Sequence, residues 1–196
     1  MSSREEQIIQ ARQDKLAKLI ALGINVNPPS YLPTNTASQS NSTDQTLNLA
    51  GRIRGYRRQG KIAFFDLHDQ TGKVQVFASL ADLGDSNYEV VKLLDVGDFI
   101  GVEGVTFKTQ AGELTLKAKN LTFLGKSMSP LPDTWYGLKD KEDRYRKRYL
   151  DLLLNPDAKA LLDARWSVEK AVREFMWSEN YQEVETPVLQ NLYGGT

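Results

Sequence analysis

The sequence contains no cysteine and a single histidine, His68. Without cysteine, the chain can have neither a disulfide framework nor a zinc site built on thiolates. His68 has no His or acidic cluster beside it at the spacing of metal ligands, which favours a structural or surface role over metal binding. The sequence therefore predicts no metal site.

Long apolar runs are missing as well. No stretch approaches the ~20 apolar residues of a membrane span, and residues 1–13 are too polar for a secretory signal. Lys plus Arg and Asp plus Glu each number 25, so the formal net charge is zero. We therefore expect a cytoplasmic protein with no membrane partner, whose nucleic-acid surface, if present, comes from local clusters of basic residues.

A first helix is predicted over residues 3–22. Ser3 and Glu6 have the spacing of a capping box, and Gly23 can end the helix as a C-cap. Apolar residues recur between them at helical spacing, namely Ile9, Leu16 and Ile20. The other face carries three cations, Arg12, Lys15 and Lys18. These cations either contact a phosphate backbone or simply face solvent.

A polar segment follows this helix. Residues 27–45 are rich in Pro, Ser, Thr and Asn and hold almost no large apolar residue. Such a composition predicts an exposed, mobile linker in which no core forms. We therefore group residues 1–46 as an N-terminal helix and linker.

Five period-2 segments in residues 47–126 predict short strands separated by turns. They lie near residues 47–57, 61–68, 73–78, 98–108 and 113–124, with a short helix expected at 87–94. A five-stranded barrel with a helix between its third and fourth strands has the order of an OB-fold, which binds oligonucleotides on the face of its second and third strands. The expected fold class is therefore mainly β with flanking helices.

The second and third strands carry the residues that could bind nucleic acid. Alternation points Ala63, Phe65 and Leu67 inward and Phe64 outward, and it places Gln75 outward beside Phe64. An exposed aromatic next to an amide can stack on a base and read its edge. The alternative is that Phe64 is an ordinary barrel-packing aromatic. The surrounding sequence is locally basic, with Arg52, Arg54, Arg57, Arg58, Lys61 and Lys73.

Helical patterning returns after a hinge at residues 127–157. Asn155 and Pro156 resemble an N-cap and first-turn proline of a longer helix. Its apolar stripe comprises Leu161, Ala164, Val168, Val172, Phe175 and Met176. A strand-like run is expected at residues 181–189, and its paired acids Glu183 and Glu185 are assigned no catalytic role.

Two segments in this part of the chain resemble class II lysyl-tRNA synthetases. Residues 136–152, YGLKDKEDRYRKRYLDL, are similar to the segment that joins the two domains of that family. Residues 180–190, NYQEVETPVLQ, resemble its motif 1, and Tyr193-Gly194-Gly195 resembles the lysine-type continuation. The hinge and this tripeptide disfavour an aspartyl or asparaginyl relative. The resemblance makes residues 158–196 the incomplete start of a class II catalytic domain.

The resemblance also implies roles for individual residues. Phe64 would stack on an anticodon base, Gln75 would read the edge of the central uridine, and Arg57 and Glu113 would complete that pocket. In the second part, motif 1 would form a homodimer interface that includes Pro187. Gly194 and Gly195 would contact the lysine substrate.

The implied function is ATP-dependent attachment of lysine to tRNA-Lys, with Mg2+ and ATP as cofactors of the complete enzyme. The arginines that hold ATP belong to motifs 2 and 3, which do not occur in these 196 residues. We therefore expect no catalytic residue, no cofactor binding and no activity in this stretch alone. The alternative is a stand-alone tRNA or single-strand binding module. We also expect an exposed apolar patch around Leu161, Val168, Val172, Phe175 and Val188.

Overall fold

A computed structural model describes residues 4–132, 138–189 and 194. The chain divides into two units, Met1–Leu131 and Pro132–Thr196. Within the described part of the chain, no helix is long and apolar enough to cross a membrane.

The first unit is built around a closed five-stranded barrel. Its strands are β1 (Thr46–Gln59), β2 (Ile62–His68), β3 (Lys73–Ser79), β4 (Phe99–Lys108) and β5 (Leu114–Gly125). They are arranged in the order β1-β2-β3-β5-β4, and β3 pairs with β5 in parallel while the other neighbours are antiparallel. The predicted OB-fold is confirmed, with strand bounds close to those expected.

Side chains that alternate along the strands fill the barrel interior. Phe65, Val76, Ile100 and Leu116 are all fully buried in one apolar core. The inward assignment of Ala63, Phe65 and Leu67 is confirmed by their burial. Because side chains on a strand alternate between faces, this core fixes the residues between them on the outside of the barrel.

A helix joins the third and fourth strands, as expected, but it is longer than the predicted residues 87–94. This helix, α2, spans Leu80–Leu93 and is kinked at Gly84, whose φ is 72°. The Ser79 side chain caps it by accepting a hydrogen bond from the Asp82 backbone N–H at 3.1 Å. Glycine adopts positive φ without steric cost, so Gly84 permits the kink that interrupts the helix.

The N-terminal helix, α1 (Arg4–Ala21), is fixed to the barrel unit by its cations. Arg12 is buried and donates to the carbonyls of Ser127 at 2.6 Å, Ser129 at 2.9 Å and Val96 at 3.1 Å. Because its guanidinium is buried and bonded to protein carbonyls, Arg12 neither faces solvent nor is placed to contact a phosphate backbone. Both expectations for this residue are therefore wrong. The sequence pattern could not show this because the carbonyls lie more than 80 residues away.

Lys15 also has a partner inside the unit. It lies 2.6 Å from Asp95, which Lys126 contacts from the other side at 2.6 Å. Burial alone would raise the pKa of Asp95, but hydrogen bonds from Lys126 and Lys15 outweigh it and lower that pKa. A carboxylate with a lowered folded pKa stabilises the fold above its ordinary pKa, and this contribution is lost as the pH falls through the lowered value.

The polar segment at residues 27–45 packs against the barrel. Ala37, in a short 3-10 helix at Ala37–Gln39, is buried, and its N–H donates to the Asp69 carboxylate at 2.7 Å. The Tyr31 hydroxyl donates to Asn48 at 2.7 Å, and its ring fills the space where a Cβ on Gly101 would lie. The expectation that this segment is exposed is wrong for Ala37 and Tyr31, because both side chains pack on the barrel surface, while no residue of 27–45 joins the apolar core cluster.

The described part of the second unit contains three helices, α3 (Lys141–Arg146), α4 (Arg148–Leu154) and α5 (Pro156–Ser178). Buried Asp151 accepts hydrogen bonds from Arg144 at 2.7 Å, Arg148 at 2.6 Å and Asn155 at 2.5 Å. The carboxylate thereby ties α3, α4 and the start of α5 together. Asn155 precedes Pro156 as predicted, but its side chain makes no capping hydrogen bond.

The apolar stripe of α5 faces outward. Leu161 is 73%, Val168 63%, Val172 57%, Phe175 63% and Val188 96% exposed, which confirms the predicted patch. The strand expected at residues 181–189 is wrong, because none of these residues is in a strand. A strand needs a hydrogen-bonded neighbour, and all the strands in the described residues belong to the barrel.

Candidate nucleic-acid interface

Barrel pairing brings the predicted binding residues together on the outer face. Antiparallel register sets Phe64 opposite Arg57 on β1 and opposite Phe77 on β3. The parallel pairing of β3 and β5 sets Gln75 opposite Thr115, two residues after Glu113. Residues spread over more than fifty positions of sequence thus meet at one end of the barrel.

These residues line a surface pocket of about 590 Å³. The lining comprises Arg57, Arg58, Gln59, Ile62, Phe64, Gln75, Thr109, Ala111 and Glu113. All four anticodon-binding candidates are therefore in one pocket. The other lining residues belong to β1, to the start of β2 and to the β4–β5 turn. Of these, sequence reasoning named only Arg58, as part of the local basic cluster, because the others carry no distinctive pattern.

Phe64 provides an aromatic surface in this pocket. It is half-buried on the outside of the barrel, whereas the neighbouring Phe65 is fully buried inside. Its ring lies 5.2 Å from that of Phe77, which in turn lies 6.0 Å from the ring of Phe107. Phe64 therefore lies outside the barrel interior, and whether it serves as a packing aromatic or as a stacking surface stays a prediction. A row of outer aromatics supports one face of its ring and leaves part of it accessible.

Gln75 lies on the predicted outer face but is less exposed than the alternation suggested. Only 8% of its surface is accessible. Its Nε2 donates to the Glu113 carboxylate at 2.7 Å, and its Oε1 accepts from the Thr115 hydroxyl at 2.9 Å. An amide carries two donor hydrogens and two acceptor lone pairs, so one of each remains for a ligand. Thr115, which is fully buried, was missed because a hydroxyl on a strand gives no signal in sequence.

Cations surround the pocket and continue along β1. Arg57 and Arg58 are exposed at the pocket itself. Further along the strand, Arg52 stacks on Phe99 at 4.6 Å and donates to the Gly97 carbonyl at 3.1 Å. Burial and, secondly, repulsion from Arg54 lower the pKa of Arg52. Arginines held this close together repel each other, and a phosphate backbone nearby would relieve that repulsion.

His68 lies opposite Arg52 at the far end of β2. Its half-buried position lowers the pKa of its imidazole, and Arg54 lowers it further while Asp66 opposes the shift. Across residues 4–132, 138–189 and 194, no group of three or more His, Cys, Asp or Glu side chains could hold a metal ion.

The remaining predicted site residues lie in the second unit. Pro187 is exposed in the irregular segment 181–189. Gly194 is also exposed, and a Cβ built on it would meet nothing within 4 Å. Gly195 lies outside the described residues. No described wall surrounds Gly194, so its assignment to a lysine site stays a prediction.

Two family models match the chain. An OB-fold nucleic acid binding domain matches residues 47–124, which cover almost the whole barrel. The model described as tRNA synthetases class II (D, K and N) matches residues 140–196. The two matches fall on different units of the structure: the first agrees with the predicted OB-fold, and the second covers most of one and all of the other of the two segments that resemble class II lysyl-tRNA synthetases.

Curated relatives match the chain over nearly all its length. A lysine–tRNA ligase of Dehalococcoides mccartyi is 43% identical over 97% of this chain and 41% of its own length. Those of Thermoanaerobacter sp. and Pelotomaculum thermopropionicum are 38% and 39% identical, over 96% and 99% of this chain and 39% and 40% of their own lengths. The chain thus spans about two fifths of the length of the relatives it matches.

Proposed function

We propose, for a chain that is homologous to lysine–tRNA ligases and carries part of a class II tRNA synthetase domain, that its barrel binds the anticodon loop of a lysine tRNA. The observation that carries this proposal is the pocket in which Phe64, Gln75, Arg57 and Glu113 meet. Phe64, Gln75 and Arg57 each suit one component of a splayed RNA loop, and Glu113 contacts Gln75. The proposal therefore rests on the chemistry of the site as well as on similarity.

The pocket can divide recognition between stacking and edge contacts. The accessible part of Phe64 offers a π-face to any base, worth roughly 1–3 kcal/mol per stacked base. Gln75 retains one donor and one acceptor for a Watson–Crick edge. Arg57, exposed at the pocket, can meet a phosphate without selecting a base.

The remaining activity of the ligase is proposed for the complete protein. It joins lysine to tRNA-Lys with ATP and Mg2+ in the cytoplasm, and it forms a homodimer through the motif 1 segment around Pro187. Gly194 and Gly195 would contact lysine there. Within the described residues, no acidic cluster is suited to Mg2+.

Binding of anticodon stem-loops tests the proposal directly. A labelled RNA hairpin with the lysine anticodon is titrated with this chain and compared with hairpins that carry another central base. We expect tighter binding to the loop with the central uridine, and weaker binding to all loops as salt rises. Equal affinity for every loop, or no binding at low salt, would contradict the proposed function.

A second candidate function is a binding module without aminoacylation activity. It is favoured by one observation: every residue lining the pocket lies between Arg57 and Glu113, within the first unit. Lysine-dependent exchange of pyrophosphate into ATP separates the two functions. Exchange above a control without lysine would make this chain an enzyme, whereas loop binding without exchange would support the module for this stretch.

A further inference from the structure

Two protein groups hold the Gln75 amide from opposite sides. The Glu113 carboxylate accepts a hydrogen bond from Nε2 at 2.7 Å, and the Thr115 hydroxyl donates one to Oε1 at 2.9 Å. Gln75 and Thr115 are paired residues on β3 and β5, so both side chains start from strands with fixed register. The amide is therefore placed by the barrel framework before any ligand arrives.

The direction of this amide decides which base it can read. Uracil presents the acceptor O4 beside the donor N3–H, whereas cytosine presents the donor N4–H beside the acceptor N3. An amide that turns by 180° exchanges its own donor and acceptor, so a free glutamine can pair with either base. Only an amide held in one direction can distinguish the two pyrimidines at a fixed position.

Glu113 imposes that direction. A carboxylate has no hydrogen to donate, so it can accept a hydrogen bond from the amide nitrogen but repels the amide oxygen. Thr115 adds to the restraint by satisfying Oε1, which would otherwise be a poorly hydrated acceptor on a side chain that is only 8% exposed. Turning the amide would set two oxygens against each other at the Glu113 contact.

We infer that Glu113 and Thr115 are positioning residues that lock the Gln75 amide in the direction that reads uracil and rejects cytosine. This inference rests on the proposed function and deepens it. Glu113 then acts on specificity through Gln75. The fully buried Thr115 cannot reach a base at all, so its effect must also pass through the amide.

Glu113→Gln is the first test, because it keeps the size of the side chain and adds a donor. Glu113 is exposed, so this substitution carries little risk to folding. The full chain is titrated with two labelled hairpins that differ only in a central uridine or cytosine. We expect the uridine preference of the parent to fall by roughly tenfold, the size of one well-placed hydrogen bond to a base, partly through tighter binding of the cytosine loop.

Thr115→Val and Thr115→Ser form a matched pair at the second residue. Valine keeps the branched shape and removes the hydroxyl, whereas serine keeps the hydroxyl. We expect valine to reduce the uridine preference and serine to retain it. Thermal unfolding of both variants checks that each is folded, so that a change in preference cannot be due to loss of the barrel.

The outcomes separate this inference from the proposed function. If the parent chain binds neither hairpin, or binds both equally, the proposed function fails. If the parent prefers uridine and folded Glu113→Gln keeps the full preference, the lock is overturned and the proposed function stands. A folded Thr115→Val variant that matches the parent in preference would remove Thr115 from the lock.

Discussion

The most informative single substitution is Phe64→Ala, because it separates a stacking surface from a core residue. The side chain is half-buried on the outside of the barrel and contacts Phe77 across the strand pair. Loss of a cross-strand aromatic contact costs roughly 0.2–1 kcal/mol of folding stability. Loss of a base-stacking face costs roughly 1–3 kcal/mol of binding. Binding should therefore be affected more than stability.

Those energies convert into a measurable change in affinity. A loss of roughly 1–3 kcal/mol raises Kd about 5- to 150-fold, and the factor should be similar for every central base because each base has a π-face. Fluorescence anisotropy with labelled stem-loops measures Kd, and urea denaturation measures the free energy of unfolding. Phe64→Leu should lie between the parent and Phe64→Ala, since it restores apolar area without a π-face.

Phe65→Ala is the matched control on the neighbouring residue. Its ring is fully buried in the barrel, so its removal should lower the free energy of unfolding by roughly 3–5 kcal/mol. If Phe64→Ala destabilised the fold to that extent, Phe64 would be a core residue. If a folded Phe64→Ala variant bound all loops like the parent, the stacking surface would be wrongly assigned.

Five other substitutions test charge, buried pairing and the apolar face. Arg57→Ala should weaken all loops similarly and reduce the slope of log affinity against log salt by about one; a base-dependent loss would instead indicate an edge contact. Lys126→Met removes a side chain that is 2% exposed and should lower the free energy of unfolding by roughly 3–5 kcal/mol. The Lys15 side chain is 31% exposed, so Lys15→Met should lower the free energy of unfolding by less than about 1 kcal/mol. Equal losses for the two lysine variants in urea denaturation would refute this ranking. Phe175→Glu should reduce self-association in analytical ultracentrifugation whereas Lys170→Glu should not, and a parent chain that stays monomeric would contradict an associating face.

Alternation and turn spacing predicted most of the barrel because each depends on neighbouring residues. A strand buried on one side repeats every second residue, so Ala63, Phe65 and Leu67 could be placed inside without knowing their partners. The same local rule placed Phe64 and Gln75 outside. It failed for the strand expected at residues 181–189, because the hydrophobic pattern of a strand does not supply the neighbour that a strand requires.

Long-range partners could not be predicted from the pattern. Arg12 looked like a surface cation on an amphipathic helix, yet it is buried against carbonyls at Val96, Ser127 and Ser129. Ala37 looked like part of a linker, yet it is buried on the barrel. In each case, the deciding contact joins residues that are far apart in sequence, and only closure of the fold brings them together.

In the candidate site, the residues proposed to contact RNA could be identified from the sequence, whereas the residues proposed to orient them could not. Phe64, Gln75 and Arg57 carry chemistry suited to RNA, so their residue types draw attention on an outward strand face. Thr115 carries no such signal, and the role proposed for it depends on the parallel pairing of β3 with β5, which sets it opposite Gln75. An amide alone is a reversible donor and acceptor pair, so selectivity between pyrimidines must come from its neighbours. If Gln75 reads the base as proposed, the specificity of this pocket depends on the strand pairing that sets Thr115 opposite Gln75 as well as on Gln75 itself.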